Sequence, residues 1–223
     1  MTRPRPPPAE HPQDGGRWRS GLFEGKCTEM ARNTERKSSL PKTKTPEEWQ
    51  RFFSAIDRRY DSGKRNHALF YLLYVSALRI GEALQLEVQD FEAELLRIHV
   101  RVGKTGERFV PLPDDPTLVR TMTAWLEVRS RWNPATPLLF TTKPGKALST
   151  NAARESMKLY GERAGIGHVH PHMARHSAAT ELLSHGASPI GVQRILGHRS
   201  LSTLLSTYSH ACDTHAREAM EKR

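Results

Sequence analysis

The chain has 223 residues, 37% of them hydrophobic, so it is long enough to bury one core of ordinary size. Its 34 Lys and Arg exceed its 24 Asp and Glu by ten, which favours a polyanionic partner such as nucleic acid. The only two cysteines, Cys27 and Cys212, argue against a disulfide scaffold or a cysteine-based zinc site. The sequence has neither an apolar run that could span a membrane nor an apolar signal core, so a cytoplasmic protein is predicted.

Residues 1–44 differ in composition from the rest of the chain. They contain six of the 15 prolines, and their 10 Lys or Arg exceed their 5 Asp or Glu by five, half of the chain's excess. Low hydrophobicity with this charge predicts a disordered tail. It is either a basic arm that contacts DNA phosphates or a solvated extension, and composition favours neither.

Residues after the tail predict a mainly α (α+β) fold that is helical with a small antiparallel β-sheet. A capping box with proline at the first helical position starts a helix at Thr45. Alternating residues at 96–102 and 108–112 flank a glycine-containing turn and predict a β-hairpin. The remaining predicted elements are helices at 67–77, 80–86, 115–131 and 149–165, a third strand at 138–140, and helices from 172 almost to the end with breaks at Gly186 and Gly197.

Two cationic side chains occupy positions from which they could be aimed at an anion. Arg79 lies between two predicted helices, and Glu82 follows three residues later, within reach of it on a helical face. A structural ion pair is the simpler interpretation of these two residues. Lys104 lies at the hairpin tip, where a lysine also serves to discourage strand pairing with other molecules.

A second group of candidates lies in the C-terminal half. His172 and Arg175 share one face at a predicted helix start, where the helix end favours an anion, so they predict a phosphate pocket. A metal site is the alternative, since His172 and His176 have ligand spacing, but the His-Glu-x-x-His pattern is absent. His198 follows a helix that ends in glycine, and Tyr208 lies ten residues further on.

In this order, these residues resemble the tyrosine recombinase or phage integrase family. The resemblance covers about Thr45 to His210, and it implies that residues 45–223 form the catalytic domain of that family. The matching segments are Ala77-Leu78-Arg79-Ile80-Gly81-Glu82-Ala83-Leu84, Gly103-Lys104 with Arg108-Phe109-Val110-Pro111-Leu112-Pro113, His172-Met173-Ala174-Arg175-His176-Ser177, Leu196-Gly197-His198 and Tyr208-Ser209-His210.

The resemblance implies six catalytic residues and a reaction without cofactor or metal. Tyr208 would attack a DNA phosphorus, giving a 3′-phosphotyrosyl bond and a free 5′-hydroxyl. Arg79 and Arg175 would bind the non-bridging oxygens, and His172 and His198 would hydrogen-bond the phosphate, with His172 also a candidate base for the tyrosine. Lys104 would protonate the departing 5′-oxygen.

The implied partner is double-stranded DNA, bound by a homo-oligomer, expected to be a tetramer, on paired sites. The implied outcome is integration, excision, inversion or resolution, as in mobile elements. Two alternatives stay open: relaxation of supercoils as in type IB topoisomerases, which needs a single subunit, and a degenerate integrase that acts as a DNA-binding regulator.

Overall fold

Capping side chains and prolines set where the helices of this protein begin. The computed structural model describes residues 43–101, 106–143, 145–198, 200–202 and 204–208. The Thr45 hydroxyl accepts from the Glu48 backbone N–H (3.2 Å) and the Glu48 carboxylate accepts from the Thr45 N–H (2.9 Å), which confirms the predicted capping box. Four helices begin with proline, whose missing N–H costs no hydrogen bond at that position. The helices are α1 (Pro46–Ser54), α2 (Asp61–Ser76), α3 (Ile80–Gln85), α4 (Pro116–Trp132), α5 (Thr150–Arg163), α6 (Pro171–Ser184) and α7 (Pro189–Leu196).

A short helical segment follows α7 and carries Tyr208. Residues 201–202 and 204–208 are helical, and the predicted breaks before them are present as left-handed glycines, Gly186 (φ 83°) and Gly197 (φ 61°). Helix α2 begins six residues before the predicted start, because its first turns carry polar residues that the apolar pattern does not include. None of the helices among the described residues is long and apolar enough to cross a membrane.

Within the described ranges, the sheet is antiparallel and has three strands in the order β1-β2-β3. The predicted hairpin is confirmed as β2 (Arg97–Val100) and β3 (Arg108–Pro111), paired from Arg97↔Pro111 to Val100↔Arg108. The third strand is β1 (Phe91–Glu92), which the sequence did not predict. This architecture confirms the predicted mainly helical fold with a small antiparallel sheet.

The strand predicted at 138–140 is wrong. Only Leu138 forms an isolated bridge, with Glu87, and the Leu139 N–H donates to the Leu86 carbonyl (2.7 Å) outside the sheet. Leu139 and Phe140 are fully buried, so their apolar character reflects insertion of a loop into the core. The Leu139 carbonyl accepts from the Trp125 indole N–H (2.9 Å), which fixes this loop against α4.

The buried side chains of the described residues form two clusters, and the boundary between them lies near Ala77. The larger cluster joins α1 to α5 with the sheet. The smaller cluster joins α6, α7 and the segment that carries Tyr208, and it includes Ala77, Leu196, Leu204 and Tyr208. Tyr208 is therefore a core residue of the smaller cluster as well as a candidate nucleophile.

One buried hydrogen bond connects α1 to α6 beside the candidate site. The Trp49 indole N–H donates to the Ser177 hydroxyl (2.9 Å), and both residues are buried. Ser177→Ala should lower the free energy of unfolding by about 1–3 kcal/mol, because the indole N–H would lose its partner in the interior. Ser184→Ala, on the exposed end of the same helix, should change it by less than about 0.5 kcal/mol. Urea unfolding measures both, and equal effects would contradict the assigned bond.

Candidate active site

Arg175 is a buried cation held by backbone carbonyls. Its Nη1 donates to the Ala77 carbonyl (2.7 Å) and its Nη2 to the Leu196 carbonyl (2.6 Å). Ala77 can present that carbonyl because it ends α2 in the left-handed conformation (φ 55°, ψ 22°). Burial, with the charge of Arg79, lowers the pKa of Arg175 to about 10, so its guanidinium stays charged at neutral pH.

Arg79 is held by the carboxylate that follows it, as the spacing predicted. Its Nη1 donates to Glu82 (3.0 Å), and its backbone N–H donates to the other oxygen of the same carboxylate (3.0 Å). Its Nη2 donates to the Gly197 carbonyl (3.1 Å). Since both ends of the fork are fixed, Arg79 is aimed rather than mobile.

Glu82 also binds a second arginine, which sequence reasoning missed. Arg108 on β3 donates through both Nη atoms to the Glu82 carboxylate (3.1 and 2.9 Å), and its Nε donates to the Ile195 carbonyl (3.3 Å). Burial alone raises the pKa of Glu82, but hydrogen bonds and charges from Arg108 and Arg79 outweigh it, and the pKa lies below 4.5. Arg108 belonged to the predicted hairpin strand, and no local signal showed that it reaches Glu82.

The three arginines converge on the end of helix α7. Arg108, Arg175 and Arg79 donate to three successive carbonyls there, those of Ile195, Leu196 and Gly197. The last carbonyls of a helix have no partner within it and carry partial negative charge, so they suit cations. We call this arrangement the arginine cluster. It gathers positive charge that only one carboxylate, Glu82, offsets directly among the described residues.

His198 follows this helix end and keeps an unused nitrogen. Its backbone is fixed by Gln193, whose carbonyl accepts from the His198 N–H (3.1 Å) and whose amide donates to the His198 carbonyl (3.0 Å). Its Nδ1 is buried and has no hydrogen-bond partner among the described residues. Burial, with the charges of Arg175 and Arg79, lowers the pKa of His198 to about 4, so the ring is neutral at pH 7.

His172 lies at the second position of α6 and is exposed. Its pKa is lowered by burial of part of the ring and by the charges of Arg175, Arg154 and Arg79. His172 therefore lies at the start of α6, within electrostatic range of Arg175 and Arg79. Among the described residues, no three His, Cys, Asp or Glu side chains are grouped as metal ligands would be.

Tyr208 lies inside the smaller core cluster, and its hydroxyl makes a hydrogen-bond contact with a histidine. The side chain is 4% exposed, and the hydroxyl oxygen is 2.6 Å from Nδ1 of His176. Burial raises the pKa of Tyr208 to about 12, against the lowering effect of Arg175. The family resemblance implied His172 as a candidate base for the tyrosine, and the sequence gave His176 no role towards Tyr208. The structure gives the contact to His176, one helical turn further along.

Lys104 lies outside the described residues, as do 102, 103 and 105 at the predicted hairpin turn. The strand that follows it is nevertheless attached to the site, because Arg108 on β3 is part of the arginine cluster. Of the six predicted site residues, five are therefore described, and Arg79, Arg175, His172, His198 and Tyr208 all lie around α6 and the end of α7.

Comparison with known proteins decides the family. Residues 42–215 match the model of the phage integrase family. The chain belongs to that family. This confirms the resemblance seen in the sequence, and the fold is that of a tyrosine recombinase catalytic domain.

Several members of the family are similar to this chain over most of its length. Tyrosine recombinase XerA of Thermococcus onnurineus is 36% identical over 203 residues, which cover 90% of this chain and 70% of XerA. Tyrosine recombinase XerC of Oceanobacillus iheyensis is 34% identical over 197 residues, covering 82% of this chain and 63% of XerC. The crystal structure of a XerH site-specific recombinase, bound to a palindromic difH substrate in a post-cleavage complex, superimposes with a TM-score of 0.71 at 28% identity. That alignment covers 84% of this chain and 55% of the XerH chain, so this integrase family member spans between about half and 70% of these three relatives.

The buried carboxylate gives a stability test of the arginine cluster. Glu82→Gln should lower the free energy of unfolding at pH 7 by about 3–5 kcal/mol, because two partly buried arginines lose their counter-charge. Glu92→Gln breaks the more exposed pair with Arg97 (2.7 Å) and should cost less than about 1 kcal/mol.

The same variant has a predicted pH dependence. A carboxyl group whose folded pKa is below its unfolded value stabilises the fold fully above the unfolded pKa, here 4.5, and loses this effect as the pH falls through the folded value. The stability difference between the parent protein and Glu82→Gln should therefore shrink in acid below that pH. Urea unfolding at neutral and acid pH measures the difference, and a constant gap would contradict the assignment.

Proposed function

We propose that this chain is a site-specific DNA recombinase that cleaves and rejoins DNA through a 3′-phosphotyrosyl intermediate. The observation that carries the proposal is the arginine cluster beside a tyrosine whose hydroxyl touches a histidine. Two guanidinium groups fixed next to a potential nucleophile form a site for a phosphodiester. Membership of the phage integrase family and similarity to proteins named tyrosine recombinases support the same reaction.

The proposed cleavage is a single displacement at phosphorus. The Tyr208 oxygen forms a bond to phosphorus, the bond to the 5′-oxygen breaks with its electron pair, and that oxygen takes up a proton. Lys104 is the proposed donor of this proton. Because the phosphotyrosyl bond preserves the energy of the broken bond, a 5′-hydroxyl can reverse the step on the same or another strand without ATP.

Arg79 and Arg175 are proposed to bind the non-bridging oxygens. Their planar forks match a phosphate geometrically, and their charges stabilise the negative charge that grows in the transition state. Both are already oriented by protein contacts, so little reorganisation is required when the reaction occurs. His172 and His198 are proposed to hydrogen-bond the phosphate, and the unpartnered Nδ1 of His198 supports this role.

DNA is the proposed partner, bound by more than one copy of the chain. Solved relatives include XerH site-specific recombinase bound to DNA substrates, one of which is palindromic. A palindrome presents the same half-site twice, which suits two copies of one protein. A tetramer on two paired sites is the proposed assembly for strand exchange. Residues 45–223 are proposed as the catalytic domain and 1–44 as a basic tail.

Two alternatives are less well supported. Supercoil relaxation by a single subunit uses the same covalent chemistry, so subunit stoichiometry on DNA distinguishes it from recombination. A regulator that only binds DNA would not need all six catalytic residue types, and all six are present in the sequence. The similarity to recombinases favours neither alternative.

The nucleophile assignment is tested with nicked site DNA, which traps the covalent intermediate. Tyr208→Phe should abolish the adduct, because it removes the attacking oxygen, and should leave DNA affinity nearly unchanged. Tyr160→Phe is the matched control: Tyr160 is also buried and its hydroxyl accepts from the Asn66 amide (3.2 Å), but it lies on α5. This control should still form the adduct. A covalent adduct with Tyr208→Phe would show that Tyr208 is not the nucleophile.

A further inference from the structure

His176 makes the direct contact with the proposed nucleophile. Its Nδ1 lies 2.6 Å from the Tyr208 hydroxyl oxygen, and the two ring centroids are 5.7 Å apart. The His176 side chain is half-buried, and Tyr208 is almost wholly buried. The contact therefore lies at the edge of the smaller core cluster rather than in free solvent.

The neighbours of His176 on helix α6 hold it in this position. Arg175 is tied to the Ala77 and Leu196 carbonyls, and Ser177 accepts from the Trp49 indole. The residues on both sides of His176 are thus anchored to other elements. Because the helix is fixed at these two points, the His176 imidazole is held next to the Tyr208 hydroxyl.

The chemistry requires a proton acceptor at this hydroxyl. A phenol is a weak nucleophile until its proton leaves, and burial makes ionisation of Tyr208 harder still by raising its pKa to about 12. The pKa of His176 is lowered by burial and by the positive potential from His172, Arg175 and His170. His176 is therefore neutral at pH 7, with a ring nitrogen free to accept.

We propose that His176 is the general base that takes the proton from Tyr208 during cleavage and returns it during rejoining. This inference rests on the proposed function. As the Tyr208 oxygen bonds to phosphorus, its proton moves to Nδ1 and gives an imidazolium ion. When a 5′-hydroxyl attacks the phosphotyrosine, its own proton returns to the group that protonated the 5′-oxygen in cleavage, and the departing phenolate takes a proton back from Nδ1. His172, on the exposed first turn of α6, then serves the phosphate and not the tyrosine.

His176→Asn is the informative variant because an asparagine side chain keeps a hydrogen-bonding atom near the position of Nδ1 but cannot serve as a base. Single-turnover cleavage of nicked site DNA should slow by about 10²- to 10⁴-fold at pH 7, the usual contribution of a general base. His185→Asn is the matched control, since His185 caps the end of the same helix and contacts the Glu181 carbonyl (2.8 Å). Its cleavage rate should equal that of the parent protein.

The pH dependence separates a base from a merely structural contact. The parent rate should fall only when the pH drops through the lowered pKa of His176, because the base then becomes protonated. The rate of His176→Asn should instead keep rising by about tenfold per pH unit above neutrality, as the phenolate fraction grows without a base. The other titratable groups that face His176 are His170, His172 and His198, the charged group is Arg175, and all four are the same in both proteins.

The possible results are distinct. Parent-like rates and a level pH profile for His176→Asn would overturn the proposal, because a hydrogen bond alone would then suffice. If His176→Asn loses its fold, judged by circular dichroism, His176→Ala with added imidazole takes its place: restored cleavage supports the proposal, and no restoration overturns it. If the parent protein itself forms no covalent adduct on nicked site DNA, the proposed function fails, and the base assignment fails with it.

Discussion

The end of helix α7 is the feature on which the rest of the site depends. Three successive carbonyls, those of Ile195, Leu196 and Gly197, accept from arginines that come from β3, α6 and the turn before α3. A helix terminus with no intrahelical partners would be costly to bury, and unpaired guanidinium groups would be equally costly. The carbonyls and the guanidinium groups satisfy each other. In the part of the chain that the structure describes, the fold can therefore concentrate positive charge with a single buried carboxylate, Glu82, paired to it.

This concentration of charge decides the protonation of the groups around it. Burial together with the nearby arginines lowers the pKa of His172, His176 and His198, so all three are neutral hydrogen-bonding groups at pH 7. Burial acts in the opposite direction on Tyr208: it raises the pKa of the phenol, so the hydroxyl stays protonated at pH 7. A phosphate entering the site would meet fixed cations and neutral imidazoles, and the tyrosine would meet a neutral acceptor. Helix α6 supplies both Arg175, which would bind the phosphate, and His176, which contacts the tyrosine.

The sequence predicted elements and residues whose signals are local. The capping box at Thr45, the hairpin and the pairing of Arg79 with Glu82 depend on neighbours within a few residues, and the structure contains all three. The contact of Arg108 with Glu82 and that of His176 with Tyr208 join residues 26 and 32 positions apart, which no periodic pattern encodes. Backbone acceptors such as the Leu196 carbonyl cannot be predicted from the sequence, since every residue has a backbone carbonyl. The strand prediction for residues 138–140 is wrong for a related reason: a loop buried in a core has the same apolar pattern as a strand.

Attack of Tyr208 on a DNA phosphate would leave a specific covalent linkage, and the chemistry of the trapped adduct reveals whether that linkage is formed. Adduct formed on nicked site DNA would be digested with nuclease and protease, and the modified residue located by mass spectrometry, while the freed strand end is labelled with polynucleotide kinase. We expect a nucleotide remnant on Tyr208 joined through a 3′-phosphate, and a 5′-hydroxyl end that accepts label without prior phosphatase treatment. A remnant on another residue, or a 5′-phosphate linkage to the protein, would contradict this expectation.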